Sequence, residues 1–184
     1  MRVGRRLFSE RPYDGLSIDV LAREAGISKG LLYYYFGSKR GYYLAVIEAA
    51  AAELRALASP DEKLSPDERI RRTLDAYISS AERYPDVFRA VTHAGVGADA
   101  EVRAIHDRER AALLELIAGE TVGSPPPAAA RTALEGWLSF VEGATLDWLA
   151  HRDLSAEQLR ELLIEALAGS LGAAHAAVRH NPGK

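Results

Sequence analysis

The sequence predicts an all-α protein, for three reasons. Hydrophobic residues form 48% of the 184-residue chain and recur every three or four positions, whereas no segment shows the strict alternation of a half-buried strand. Alanine and leucine, which favour helices, are abundant. Capping serines and breaking glycines or prolines separate the periodic segments. We therefore expect about nine helices.

The first predicted helix runs from Met1 to Glu10 and turns Leu7 and Phe8 inward, with its arginines outward. It belongs to a basic segment. Residues 1–47 carry eight basic and four acidic side chains, a net charge of +4, and the remaining fifteen basic and twenty-two acidic side chains give −7. A basic N-terminal segment on an acidic remainder indicates where a polyanion would bind.

Two short helices joined by a tight turn follow, between residues 17 and 37. Ser17 is placed to cap the first of them, Gly26 to end it in a left-handed conformation, and Ser28 to cap the second. This arrangement is typical of a helix-turn-helix, whose second helix enters the DNA major groove. An ordinary helical hairpin with its tyrosines in the core is the alternative.

The second helix of this pair has two different faces. Helical spacing predicts that Leu32, Tyr35 and Phe36 face inward, and that the outward residues are Lys29, Gly30, Tyr33 and Tyr34. An ammonium group, a glycine that permits close approach and phenolic hydroxyls are suited to contacts with phosphates and base edges.

The same region resembles the N-terminal signature of TetR-type transcriptional regulators. The matching residues are Leu7-Phe8, Tyr13 to Ile18, Ile27 to Gly30, Leu32 to Phe36 and Ser38-Lys39. The resemblance implies a three-helix DNA-binding domain at residues 1–45 and a helical ligand-binding and dimerisation domain at residues 46–184. It further implies a cytoplasmic homodimeric repressor that binds a palindromic double-stranded operator and is released by a small, largely apolar ligand. A regulator without an inducer, or an activator, is the alternative.

The resemblance also assigns individual contacts with DNA. Phosphate contacts are expected mainly from Ser17, Tyr33, Tyr34 and Lys39. Lys29 and Gly30 are expected at base edges, and Ser28 at the helix cap and near a phosphate. Leu31 replaces the small polar residue that is common in the family, so only apolar contacts are expected from it.

Six more helices are predicted by caps and periodicity. They run from 38 to about 58, from 65, from 85, from 100 to about 118, from 128 to about 150 and from 155. Gly119 is expected to break the fourth of these six. By resemblance, the helix that begins at Ser38 connects the two domains.

The last two helices are the expected dimer interface, as a four-helix arrangement of two copies. The candidate residues are Trp137, Leu138, Val141, Trp148, Leu163 and Leu167. Gly136 or Gly143 would allow the closest approach of the helices. The alternative is that this apolar stripe faces the subunit's own core, because amphipathicity does not identify the surface that covers it.

The middle helices are expected to line a cavity for the effector. The candidate residues are Tyr77, Phe88, His93, His106, Trp137 and Phe140. A mostly apolar cavity with a few polar groups is typical of small-molecule sites. Aromatic residues at helical spacing can equally fill a core, and that alternative stays open.

Other classes of function are disfavoured by the sequence. The five histidines show no zinc-ligand spacing, and no nucleophile elbow, phosphate-binding glycine loop or paired-carboxylate motif is present. There is no cysteine, and no segment predicts a membrane span. We therefore expect no enzyme activity, no metal, no cofactor and no membrane partner. A helical module that binds only protein is a further alternative.

Overall fold

The computed structural model describes residues 2–11, 13–57, 63–94 and 100–180. In these residues the chain forms nine α-helices and one short 3-10 turn at Tyr13–Gly15, so the predicted all-α class is confirmed. The helices are α1 (Arg2–Glu10), α2 (Ile18–Ala25), α3 (Lys29–Phe36), α4 (Lys39–Leu57), α5 (Pro66–Arg83), α6 (Pro85–Ala94), α7 (Ala100–Thr121), α8 (Ala128–His151) and α9 (Ala156–Arg179).

Capping side chains fix several helix starts where the sequence predicts them. The Ser65 hydroxyl accepts a hydrogen bond from the Glu68 amide at 3.3 Å, and the Glu68 carboxylate accepts one from the Ser65 amide at 2.8 Å. Ser155 and Gln158 form the same reciprocal pair at the start of α9. Each pair satisfies two amides that a helix start leaves without a partner.

Helix α7 is longer than the sequence predicts. Gly119 was expected to end it, but the helix continues to Thr121 and the chain turns at Gly123, where φ is +89°. Ile117 and Ala118 are fully buried, and their burial outweighs the cost of one glycine in a helix, about 1 kcal/mol. The sequence also offers Asp99 as a cap for this helix, and that residue lies outside the described residues.

The helices pack into two compact units. One contains the described residues of Met1–Leu57 and Ser80–Asp107, and the other contains those of Ala58–Ser79 and Arg108–Lys184. The core of the first unit is formed by Leu7, Phe8, Leu16, Ile18, Leu21, Ala22, Leu32, Tyr42, Val46, Ile47, Val87, Val102 and Ile105. The packing therefore groups α4 with α1 to α3, and the functional boundary between residues 45 and 46 stays a prediction.

Two glycines allow close helix approach in the first unit. A Cβ on Gly4 of α1 would lie 2.5 Å from Val46 Cγ2 and 2.6 Å from the Tyr42 hydroxyl oxygen, both on α4. A Cβ on Gly41 would lie only 2.0 Å from the backbone oxygen of Phe36, the last residue of α3. The absence of a side chain at Gly41 thus sets how closely α4 follows α3.

The second unit is dominated by the packing of α8 on α9. The indole Nε1 of Trp137 donates to the backbone oxygen of Leu163 at 2.8 Å, and both residues are buried. Contrary to the expectation from the sequence, one helix in the described part of the chain, α9, is long and apolar enough to cross a membrane, and little of it is buried inside the chain. The outer side of α9 is therefore an exposed apolar surface in the single chain.

Candidate nucleic-acid interface

Helices α2 and α3 form a helix-turn-helix with both starts capped. The Ser17 hydroxyl accepts from the Val20 amide at 3.3 Å, and the Ser28 hydroxyl accepts from the Leu31 amide at 3.1 Å. Gly26 has φ +67°, a left-handed conformation that glycine adopts without strain, and it ends α2. Leu32 of α3 is fully buried, so the turn and this contact fix which side of α3 faces solvent.

The outward side of α3 contains the residues that the sequence predicts for DNA contact. Gly30, Leu31 and Tyr33 are exposed, and the Tyr34 side chain is 81% exposed. The side chain of Lys29 is half-exposed at the start of the helix. These side chains present a charge, hydroxyl groups and apolar surface to one side of the molecule, as a reader of the major groove requires.

Tyr35 lies elsewhere than predicted. It was expected inward with Leu32 and Phe36, but it is 68% exposed. Leu32 and Phe36 are four residues apart and therefore share one face of α3, and the Phe36 ring packs on Tyr42 of α4 with 4.9 Å between centroids. This contact leaves Tyr35 at the edge of the inward face. Its ring lies 5.3 Å from that of Tyr34, so Tyr35 joins the exposed aromatic surface.

Lys29 is held by Asp19 of the preceding helix. The ammonium nitrogen lies 2.9 Å from one carboxylate oxygen and 3.1 Å from the other. The hydrogen bond to Asp19 and the charge of Asp19 raise the pKa of Lys29 above its usual value, so the ammonium group stays charged. To donate to a base edge, Lys29 must break its ion pair with Asp19.

The start of α4 brings two more cations beside α3. The Ser38 hydroxyl accepts from the Gly41 amide at 2.9 Å and caps the helix. The Lys39 ammonium lies 4.0 Å from the ring centroid of Tyr13, and Arg40 pairs with Glu101 of α7. Aromatic contact holds Lys39 near the helix start without neutralising its charge.

Family models match both parts of this architecture. The N-terminal model of the TetR family of bacterial regulatory proteins matches residues 1–46, which contain the helix-turn-helix. A model described as a tetracyclin repressor-like C-terminal domain matches residues 66–169, more than half of the chain. The chain belongs to the TetR family.

Solved structures of TetR-family proteins have the same fold. A TetR-family transcriptional regulator from Streptomyces coelicolor superposes with a TM-score of 0.86 at 27% identity, over 95% of this chain and 79% of that one. A TetR-like regulator from Rhodococcus sp. RHA1 gives a TM-score of 0.69 at 25% identity, over 93% and 92% of the two chains.

Curated relatives match over shorter segments. The HTH-type transcriptional regulator EthR from Mycolicibacterium smegmatis is 30% identical over 99 residues, 51% of this chain and 45% of EthR. The Staphylococcus aureus negative transcriptional regulator of the biofilm operon icaADBC, IcaR, is 49% identical over 37 residues, 20% of each chain. The chain thus spans less than half of the length of either relative. The family is one of regulators, not of enzymes.

The six side chains that the sequence suggests for a dimer interface are all buried inside the single chain. They are Trp137, Leu138, Val141, Trp148, Leu163 and Leu167. Burial inside the single chain agrees with the alternative that this stripe faces the subunit's own core, and the interface itself stays a prediction. The exposed surface of α8 and α9 consists of different residues, which include Gly136, Phe140, Gly143, Leu162, Gly169 and Gly172.

The six residues suggested for an effector cavity are divided between the two compact units, and the cavity stays a prediction. Phe140 is 42% exposed on α8, and Trp137 is bonded to Leu163 in the core. Phe88 and His106 belong to the first compact unit, whereas Tyr77 belongs to the second. The side chain of His93 lies outside the described residues.

Tyr77 is the member of this set with the clearest polar surroundings. Burial raises the pKa of its hydroxyl, the charge of Glu142 raises it further, and the charge of Arg110 opposes both effects. The Arg110 guanidinium donates to the Glu142 carboxylate at 2.8 Å and to the Glu135 backbone oxygen at 2.6 Å. Tyr77 therefore stays protonated beside a partly buried ion pair. In the described part of the chain, no group of three or more His, Asp or Glu side chains could hold a metal ion.

Proposed function

We propose that the protein is a cytoplasmic, homodimeric repressor that binds a palindromic DNA operator through α3. The exposed face of α3, in a helix-turn-helix capped at both starts, is the observation that carries the proposal. The net charge of +4 over residues 1–47 favours approach of this face to the polyanion. Membership of the TetR family supports the same function.

The contacts are assigned by position and chemistry. Ser17, Tyr33, Tyr34 and Lys39 bind phosphates, which fixes the orientation of α3 without reading sequence. Lys29 donates to base edges, and Gly30 lets the backbone approach them. Ser28 caps α3 and lies near a phosphate, and Leu31 contacts a thymine methyl group. The exposure of these side chains supports the assignment, and their contacts with DNA stay proposals.

The dimer forms through the exposed face of α8 and α9, not through the buried stripe. At Gly136, Gly143, Gly169 and Gly172 an added Cβ would have no neighbour within 4 Å in the single chain. Backbones at such positions can approach a partner helix closely. Phe140 and Leu162, 42% and 44% exposed, add apolar surface that association would remove from water.

A charge on this surface is expected to prevent association. The double variant Phe140→Asp/Leu162→Asp should sediment as a monomer at about 10 µM, because each carboxylate would have to be desolvated in the interface. Leu31→Asp is the matched control and should remain dimeric. Leu31 is similarly exposed, at 41%, but it lies on α3, outside the proposed interface. The interface assignment would be contradicted by a double variant that remains dimeric, with circular dichroism unchanged from the wild type.

A small, largely apolar ligand releases the repressor from its operator. The ligand binds better to the conformation in which the two α3 helices of the dimer are wrongly spaced for the operator. Helix α4 is the proposed lever, because its start packs against α3 and it continues for nineteen residues. A hundredfold loss of operator affinity requires about 2.7 kcal/mol of coupling between ligand and DNA. Tyr77 and its charged neighbours are the most suitable described group for orienting such a ligand.

The function is tested by titration with the protein's own promoter region at several salt concentrations. We expect tight binding whose logarithm falls steeply with the logarithm of salt concentration, because phosphate contacts release counterions. The titration is repeated with lipophilic compounds that raise the melting temperature. Equal, weak binding to the promoter and to unrelated DNA would reject a sequence-specific regulator. Loss of transcription from the promoter when the gene is deleted would favour an activator.

A further inference from the structure

Arg40, the second residue of α4, is held by Glu101 in the first turn of α7. The guanidinium Nε and Nη2 atoms donate to one carboxylate oxygen of Glu101 at 2.8 and 2.5 Å. Both residues belong to the same compact unit. The contact therefore connects the start of α4, which follows α3, to α7, a helix that contributes no residue to the helix-turn-helix.

The position of Arg40 is suited to binding a phosphate. It follows Lys39, the proposed phosphate contact, and the start of α4 comes directly after α3. A guanidinium group binds phosphate oxygens with the same planar pair of donors that it uses for a carboxylate. Glu101 therefore occupies the donors that a DNA phosphate would take.

The pair lies on the surface of the protein, where a bound duplex can reach it. The side chains of Arg40 and Glu101 are 44% and 62% exposed. Exposed ion pairs are screened by water and salt and contribute little to stability, so this contact does little to hold α4 in place.

We propose that Arg40 is a latent phosphate-binding residue, which Glu101 keeps from DNA in the wild-type protein as an intramolecular competitor. The first turn of α7 then determines whether the protein neutralises this additional phosphate. With Glu101 in place, Arg40 is withheld from DNA and sequence-independent affinity is reduced. The inference rests on the proposed DNA-binding function and adds a residue of α7 that controls it.

The test measures affinity for an unrelated 30-base-pair duplex as salt is raised. Glu101→Gln removes the charge and keeps the shape of the side chain. It should steepen the slope of log affinity against log salt by about 0.9, the release expected for one phosphate. Between about 50 and 200 mM salt, the variant should lose affinity roughly threefold more than the wild type does. Adding Arg40→Gln should return the slope to the wild-type value. Glu115→Gln, the same charge change at an exposed position of α7, should leave the slope unchanged.

Three results would overturn the inference while the wild type still binds DNA. The slope of Glu101→Gln equals that of the wild type, or the double variant keeps the steeper slope. Alternatively, Arg40→Gln alone lowers the wild-type slope by about 0.9, which would mean that Arg40 already contacts phosphate. If the wild type binds no duplex in a salt-dependent way, the proposed function itself fails and the inference fails with it. Circular dichroism and thermal unfolding confirm that each variant is folded.

Discussion

Replacing Lys29 by alanine is expected to weaken binding to the protein's own promoter region at least tenfold, or about 1.4 kcal/mol. Lys29 stands at the start of α3, and its ammonium group pairs with the Asp19 carboxylate. A lysine that donates to a guanine edge discriminates between base pairs, so the variant should lose more affinity for the promoter than for unrelated DNA. Tyr34→Ala should also cost about tenfold, but equally on both duplexes, because a phosphate contact carries no sequence information.

Three further variants control this experiment. Lys63→Ala removes one positive charge from an exposed loop residue and should change binding less than twofold. Tyr34→Phe removes the hydroxyl group alone and separates the phosphate contact from ring contacts. The ring of Tyr34 packs on that of Tyr35, so Tyr35→Ala shows whether this contact contributes to DNA affinity. Losses below tenfold for both Lys29→Ala and Tyr34→Ala would reject α3 as the reading helix.

Gly41→Ala is expected to lower the free energy of unfolding by about 3 kcal/mol, the upper end of the usual cost of overpacking. The new methyl group would lie 2.0 Å from the Phe36 backbone oxygen, and a backbone atom cannot move aside as a flexible side chain can. The end of α3 would have to shift from α4, so operator affinity should fall as well. Chemical denaturation and the promoter titration measure the two effects.

Gly119→Ala is the matched control for this substitution. Gly119 is also inside a helix, but a Cβ there would have no neighbour within 4 Å. Alanine should therefore stabilise the protein by up to about 1 kcal/mol through its better helix propensity. A Gly41→Ala protein whose free energy of unfolding lies within about 0.5 kcal/mol of the wild type would show that α3 and α4 can separate without cost.

The helix-turn-helix could be predicted almost residue by residue, because its signals are local. Ser17, Gly26 and Ser28 act on amides a few positions away, and the structure places each of them as the sequence indicates. The sequence wrongly predicts that Tyr35 faces inward. Residues 33–36 are all aromatic, so more than one choice of inward face would bury aromatic side chains. The contact between Phe36 and Tyr42 on another helix decided which face is buried.

The sequence by itself determined the all-α class, most helix boundaries, the caps and the outward chemistry of α3. These properties depend on interactions within one turn of helix. Only the tertiary structure decided that Trp137 and Leu163 face each other inside one subunit. It also decided that Gly119 does not interrupt α7, and that Asp19 and Glu101 hold Lys29 and Arg40. The sequence of one segment does not show which surface its apolar stripe packs against or which opposite charge its charged side chain pairs with. Burial and Coulomb attraction both depend on which surfaces meet in the folded chain.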